Sequence, residues 1–386
     1  MPTLTGSLVT PNGVLAGGAL IVDDQGVIAD ILPRAQSLPR RADMDATGLL
    51  VMPGFLDMHV HGGGGADFMH GTAQAVRQAL RTHARFGTTG LLATTLTASR
   101  GEIDASIGAV CAVQAAGRGV DEARILGIHL EGPFICAHRR GAQPLGPIRP
   151  PDVEELEHWI ALSQGQIRQL TIAPELAGAE RVIRAAAEAG IVVSVGHTDA
   201  TAAETLRAAE WGARQATHTF NAMRGLHHRE PGTVGAVLAN ADFVAEVIAD
   251  GVHLNPLVVR IILAAKGLDG VVLITDAMEA TAMPDGEYTL GGSPVTVQNG
   301  TAAFADGTLA GSVLTMSQAV CNIQKFAGIG PGEASRLASA NAARQLGLSG
   351  QMGALQAGAN ADLAIIHPDT GRVEWTIIGG QVAYRR

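Results

Sequence analysis

Pro53-Gly54-Phe55-Leu56-Asp57-Met58-His59-Val60-His61-Gly62 lies in an apolar run that starts at Val51 and ends on two histidines. Side chains at i and i+2 of a strand face the same way, so both imidazoles emerge together at the carboxyl end of this strand. Seven more strand-length apolar runs follow: Gly90 to Thr95, Ile125 to Glu131, Gln169 to Pro174, Ile191 to His197, Gln215 to His218, Val244 to Asp250 and Val271 to Asp276. The segments between them read as helices. Pro150-Pro151-Asp152 followed by Glu155 is a helix start, and Ala179 to Ala189 carries Val182, Ile183, Ala186 and Ala187 on one face before Gly190 stops it. Eight β/α units match the size and rhythm of a (β/α)8 TIM-like barrel in the α/β class. The alternative, an open doubly wound sheet, lacks its fingerprint: no G-x-G-x-x-G joins a strand to a helix. Nor is Gly62 to Gly65 a P-loop, since no Gly-Lys-Ser/Thr follows it.

Both ends of the chain have a different texture. Short β segments at Gly6 to Thr10, Ala19 to Val22 and Val27 to Ile31 are separated by turn residues, and Ala361 to His367, Val373 to Ile378 and Gln381 to Tyr384 repeat the pattern. Neither set is long enough to fold alone. The expectation is one small β-sandwich domain from residues 1–51 plus 350–386, with residues 52–349 as the barrel catalytic domain.

Composition excludes several classes. Of 386 residues, 47% are apolar and 16% charged, which is a globular balance with no disordered tail. A net charge of −9 excludes a nucleic-acid footprint. Cys111, Cys136 and Cys321 are too scattered for a disulfide scaffold or a thiolate zinc site, and a reducing cytoplasm fits them. No apolar run reaches membrane-spanning length, and the N-terminus lacks a signal-peptide pattern.

Catalytic groups of a barrel stand at the carboxyl ends of different strands. Here those ends read Asp57-Met58-His59-Val60-His61, His129-Leu130-Glu131, Gly196-His197-Thr198-Asp199, Thr217-His218-Thr219 and Thr275-Asp276-Ala277. Each alone has a bland reading: an H-x-H pair in a strand, a turn carboxylate, a satisfied histidine, an N-cap aspartate. Together they would bury imidazoles and carboxylates at a cost of several kcal/mol, which a divalent cation relieves. Nitrogen and oxygen ligands without thiolate suit Zn²⁺, Fe²⁺, Mn²⁺ or Co²⁺ alike.

The ordered set PGFLDMHVHG, HLEGPF, SVGHTDAT, THTFNAM, REPG, ADGVH, ITDAM and GTLAGS, from Pro53 to Ser312, resembles the N-acetylglucosamine-6-phosphate deacetylase family of the amidohydrolase superfamily. Many amidohydrolases bridge two metals with a carboxylated lysine. The two lysines of this chain, Lys266 and Lys325, lie away from the strand ends, and Glu131 takes the lysine's place. The resemblance implies that Glu131, His197 and His218 hold the principal metal and that His59 and His61 hold a second, giving one or two divalent ions per subunit. Asp276 is expected to take a proton from the attacking water and return it to the departing amine. The implied reaction releases acetate from N-acetylglucosamine 6-phosphate in amino-sugar catabolism or cell-wall recycling. Other N-acyl amino sugars, such as N-acetylgalactosamine 6-phosphate, and N-acyl amino acids are alternatives. A non-catalytic binding protein is a third, though mere binding needs no proton shuttle.

For the substrate, the resemblance implies contacts from Asn221 and the Ala222 amide. It also implies a phosphate site completed by Arg229 and His253 reaching in from a second subunit of a homodimer, and closure by backbone groups of Leu309 and Ala310. One departure stands out. Where many family members carry a histidine after Gly-Ala, this chain reads Gly141-Ala142-Gln143, so Gln143 supplies an amide donor and no positive charge. His138 is a candidate substitute. His129 reads as a group behind the metal ligands or part of a barrel layer, and His227 and His228 adjoin Arg229. His70, His83, His158 and His367 read as packing or surface residues.

Overall fold

The computed structural model describes residues 2–38 and 42–386. Strands β1 (Thr3–Thr10), β2 (Gly13–Val22), β3 (Ile28–Leu32) and β4 (Met44–Pro53) open the chain. The barrel strands follow: β5 (Phe55–Val60), β6 (Thr88–Thr94), β7 (Arg124–Glu131), β8 (Ile167–Ile172), β9 (Val192–Val195), β10 (Gln215–Ala216), β11 (Val244–Ile248) and β12 (Val271–Ile274). They pair in parallel in sequence order. The seam between first and last is closed by the Val60–Ala277 bridge, with His61 N–H donating to Ala277 O at 2.9 Å and Asp276 N–H to His59 O at 2.9 Å. Two of the singled-out strand ends therefore meet at the closure itself.

Helices α1 (Ala73–Ala84), α2 (Arg100–Ala115), α3 (Val153–Leu162), α4 (Ala179–Glu188), α5 (Ala202–Trp211), α6 (Gly232–Ala239), α7 (Pro256–Lys266) and α8 (Met316–Ala327) pack around the barrel. Their starts are written into the sequence. Ser99 with Glu102 and Thr201 with Glu204 form reciprocal capping boxes for α2 and α5, and Asp152 caps α3 as its sequence predicts. The apolar faces of these helices join the strands in one large core that includes Leu91, Ile128, Leu170, Val193, Ile248 and Leu273.

Two features differ from the sequence reading. The run from Val51 to His61 is two strands rather than one. It breaks at Gly54, whose N–H donates to Asp362 O at 2.7 Å and where a Cβ would lie 2.2 Å from Thr89 Oγ1, so only glycine fits the step between sheet and barrel. Between β12 and α8 an antiparallel insertion, β13 (Gly286–Leu290), β14 (Ser293–Gln298) and β15 (Thr301–Ala303), packs Leu290, Val295, Val297 and Ala302 against Leu96 and Met278 beside the barrel mouth. Its Gly291-Gly292 and Asn299-Gly300 turns were the available hairpin signal.

The closing strands β16 (Leu363–Ile366), β17 (Val373–Ile378) and β18 (Gln381–Arg385) join the opening ones in one seven-stranded sheet of order β18-β17-β16-β4-β1-β2-β3. The central strand β4 pairs antiparallel with β16 and parallel with β1, so the two ends of the chain interlock around Leu8, Leu20, Val51, Leu363 and Ile365.

Candidate metal centre and active site

Glu131 is the hub of the barrel mouth. Its Oε1 lies 3.1 Å from His197 Nε2, 3.1 Å from His218 Nε2 and 3.3 Å from His59 Nε2, and its Oε2 lies 3.2 Å from His61 Nε2. Asp276 Oδ1 lies 3.2 Å from His61 Nε2 and 3.4 Å from His59 Nε2. These atoms fall into two adjoining groups, Glu131 with His197 and His218, and His59 and His61 with Asp276. All six residues are buried.

The backbone is bent to achieve this. His197, His218 and Asp276 take φ of 46°, 29° and 52°, and Ala222 takes 50°. For non-glycine residues this left-handed region costs about 1–3 kcal/mol each, and it persists only where surrounding contacts impose it. Those contacts are present. Asp57 Oδ2 accepts from Thr275 Oγ1 at 2.5 Å and Oδ1 from Thr275 N–H at 3.2 Å, fixing the residue before Asp276. Glu175 accepts from Thr198 Oγ1 at 2.5 Å and Asp199 N–H at 2.6 Å, pinning the turn after His197.

The ring tautomers fit a cation. His197 Nδ1 lies 3.0 Å from Arg139 O, an acceptor only, so Nδ1 carries the hydrogen and Nε2 turns a lone pair inward. Its Nε2 faces that of His218 at 3.1 Å, and the Nε2 atoms of His59 and His61 face each other at 3.3 Å. Imidazole nitrogens at such separations share either a proton or a cation, and a divalent ion suits these nitrogen and oxygen ligands. Without an ion, protons hold the rings together. Burial pushes the His61 imidazole down, but hydrogen bonds and charge from Asp276 and Glu131 outweigh this and lift its pKa to about 9. Burial raises Asp276, and the facing histidines more than reverse this, holding it at about 2.

A cavity of about 250 Å³ opens above these groups. Ala142, Gln143, Asn221, Ala222, His253 and Leu309 are among the residues that line it. A larger cavity of about 520 Å³ lies by Pro53, Leu268 and Arg344, behind the strands' amino ends, and no group of metal-ligating side chains converges there among the described residues.

Several expectations change here. His253 lines this chain's own pocket, its Nδ1 2.6 Å from Asp250 Oδ2, rather than reaching a neighbouring site. Ala310 is buried in the insertion's core with its N–H committed to Ala302 O at 3.0 Å, and its neighbours Leu309 and Gly311 line the cavity in its place. Arg229 is exposed outside the cavity, its Nη1 2.8 Å from His228 Nε2. His138 is exposed and does not line the cavity, so it does not replace the family histidine. Gln143 is buried, donates to Glu131 Oε2 at 2.5 Å and accepts from Thr97 N–H at 2.7 Å. It is tied to a ligand rather than held open for substrate alone. His129 stands behind the ligands, its ring edge-on to His59 at 4.6 Å and its Nε2 2.8 Å from Thr171 Oγ1. Neither Lys266, which binds Val237 O and Asn240 O, nor exposed Lys325 approaches the site. The sequence reading passed over Glu175 and Glu246. For Glu246 the signal was a carboxylate in the otherwise apolar strand Val244–Ile248.

The sequence profile of the amidohydrolase family matches residues 50–383. The chain belongs to the amidohydrolase family. Within that family the motif resemblance to the N-acetylglucosamine-6-phosphate deacetylases holds. The chain is 39% identical over 380 residues, covering 98% of itself and 96% of the relative, to a Bacillus subtilis protein named N-acetylglucosamine-6-phosphate deacetylase. It is also 39% identical over 377 residues, 97% of each chain, to an Escherichia coli O157:H7 protein named N-acetylgalactosamine-6-phosphate deacetylase. Among solved structures, an aspartate-to-alanine variant of the Mycobacterium smegmatis N-acetyl-D-glucosamine-6-phosphate deacetylase, in complex with N-acetyl-D-glucosamine-6-phosphate, superposes with a TM-score of 0.93 at 35% identity over 99% of both chains. As in that amidohydrolase fold, the site lies at the carboxyl ends of the barrel strands.

Proposed function

We propose that the protein is a divalent-metal-dependent amide hydrolase that converts N-acetyl-D-glucosamine 6-phosphate to D-glucosamine 6-phosphate and acetate. The supporting observation is the convergence of Glu131, His197, His218 and Asp276 at the mouth of a barrel matched end to end by named deacetylases. Glu131, His197 and His218 would hold the principal ion, and His59 and His61, sharing Glu131 and Asp276, a second. Zn²⁺ suits this nitrogen and oxygen donor set best. When bound, the ion supplies Lewis acidity that polarises a carbonyl and eases loss of a proton from water.

The chain's own groups do the rest. Asp276 accepts the proton of the attacking water and returns it to the nitrogen, because an amine leaves poorly unprotonated. The Gln143 amide has one N–H beyond the one given to Glu131 and offers it to the acetyl oxygen. Asn221, the Ala222 amide, His253 and the backbone of Leu309 hold the sugar phosphate. Arg229, exposed and outside its own cavity, completes the phosphate site of a second subunit in a homodimer. The three free cysteines fit a reducing cytoplasm, and no helix among the described residues is long and apolar enough to cross a membrane.

A second reading also has sequence support, because the galactosamine relative matches this chain at 39% identity, the same figure as the Bacillus subtilis glucosamine one. The test is acetate release from both phosphorylated sugars, their unphosphorylated forms and an N-acetyl amino acid, with metal-free and zinc-reconstituted protein. Zinc-dependent turnover confined to phosphorylated acetamido sugars, fastest on the glucosamine epimer, is the expected result. Preference for the amino acid or for an unphosphorylated sugar would overturn the proposal.

A further inference from the structure

Below the barrel mouth lies a layer of polar side chains that the reaction above does not use. At its centre is Glu246 in β11, fully buried between Ala245 and Val247. A carboxylate there must be fully hydrogen-bonded, and four groups meet its two oxygens. Oε1 accepts from Gln169 Nε2 at 2.7 Å and from Gln215 Nε2 at 2.6 Å. Oε2 accepts from the backbone N–H of His218 at 3.1 Å and lies 3.1 Å from His59 Nδ1.

Three of these four partners are N–H groups that only donate. They select an ionised carboxylate, which only accepts. The fourth partner is then determined. Facing an oxygen that carries no hydrogen, His59 Nδ1 holds the ring proton, and Nε2 is left as the atom that offers a lone pair. That Nε2 points at His61 Nε2, Glu131 Oε1 and Asp276 Oδ1. The orientation of the ring is fixed as well, because His129 packs edge-on against it with centroids 4.6 Å apart.

We propose that Glu246 is a positioning residue for the second cation: it sets the tautomer and aim of His59, so that the His59, His61 and Asp276 group binds a divalent ion. The role rests on the reading that this group is a metal position. Glu246 touches neither substrate nor ion. A glutamine at 246 cannot satisfy both sides of the layer. Turned one way, its amide N–H₂ faces the donors of Gln169 and Gln215. Turned the other way, it donates to His59 Nδ1 and moves the ring proton to Nε2.

The experiment is a calorimetric Zn²⁺ titration of chelator-stripped, full-length wild type, Glu246→Gln and His59→Ala at neutral pH, with metal content measured on the saturated proteins. Wild type should take up two ions per chain. In Glu246→Gln the weaker step should lose about 10–100-fold in affinity while the tighter step stays within about threefold, since lost outer partners of a ligand typically cost that much. His59→Ala should lose the weaker step altogether. If Glu246→Gln does not fold, Glu246→Asp, which keeps the charge but withdraws it from His59, should weaken the same step in the same direction. Equal weakening of both steps would make Glu246 merely structural, and two unchanged steps would remove its role. A single ion in wild type, unchanged in His59→Ala, would overturn the two-cation reading itself and this proposal with it.

Discussion

Replacing Gln143 by methionine removes two buried hydrogen bonds at nearly constant side-chain length. Gln143 is 2% exposed, its carbonyl accepts from Thr97 N–H at 2.7 Å, and its amide donates to Glu131 Oε2 at 2.5 Å. A buried N–H left without an acceptor costs about 1–3 kcal/mol, and a hydrogen bond to a charged group contributes about 1.5–3 kcal/mol. Glu131 keeps its histidine partners and the two losses share one side chain, so the lower part of the sum applies, about 3 kcal/mol. Equilibrium urea unfolding of the metal-free protein, followed by tryptophan fluorescence, should show a lower midpoint at unchanged slope. A variant within about 0.5 kcal/mol of wild type would refute the reasoning, because changes of that size are typical of sites without a special structural role. Zinc-loaded Gln143→Met should also turn over more slowly, since the spare N–H offered to the acetyl oxygen is gone.

His83 is buried with Nε2 2.8 Å from Gly62 O, and burial pushes its pKa below 6.5 against the opposing effect of that bond. The unfolded chain therefore takes up a proton that the folded one refuses, so stability is full above 6.5 and falls as pH drops from 6.5 towards the lowered folded value. Urea midpoints from neutral to mildly acidic pH should fall less steeply in His83→Gln than in wild type, and parallel lines would contradict this. For Arg229, alanine should raise KM for the phosphorylated sugar with little change in kcat. Mixing Arg229→Ala with Asp276→Asn subunits should restore about a quarter of wild-type activity at low substrate, because half of randomly formed dimers carry one complete site. No restoration after subunit exchange would place Arg229 outside the neighbouring site.

What was legible in the sequence is the periodic part. Barrel strands read as apolar runs because both of their faces are buried, and strand ends read as chemistry because glycine, proline and the polar groups punctuate them. Glu131, His197, His218, His59, His61 and Asp276 could be picked out this way, and the structure brings all six together. Closure of the barrel through His59, His61, Asp276 and Ala277 explains why groups more than two hundred residues apart share one centre. The features that escaped are set by long-range partners. Gly54 divides an apolar run only because Thr89 and Asp362 crowd it from elements far along the chain. Gln143 looked like a substrate donor, and its tie to Glu131 depends on how a loop folds back. His253 is held by Asp250 only three residues earlier, but which cavity it lines depends on the barrel elements that bring Glu131, His197 and Asp276 beside it. Glu246 was visible as a charge in an apolar strand, but its four partners come from strands with no local pattern linking them.

The most direct test of the central claim compares wild type with Asp276→Asn, both reconstituted to the same measured zinc content, for acetate release from N-acetyl-D-glucosamine 6-phosphate. The wild type should turn over, and the variant should be slower by about 10²–10⁴-fold, the usual contribution of a positioned acid–base group. No acetate from the loaded wild type, or a variant with matched zinc that keeps most of the activity, would contradict the account.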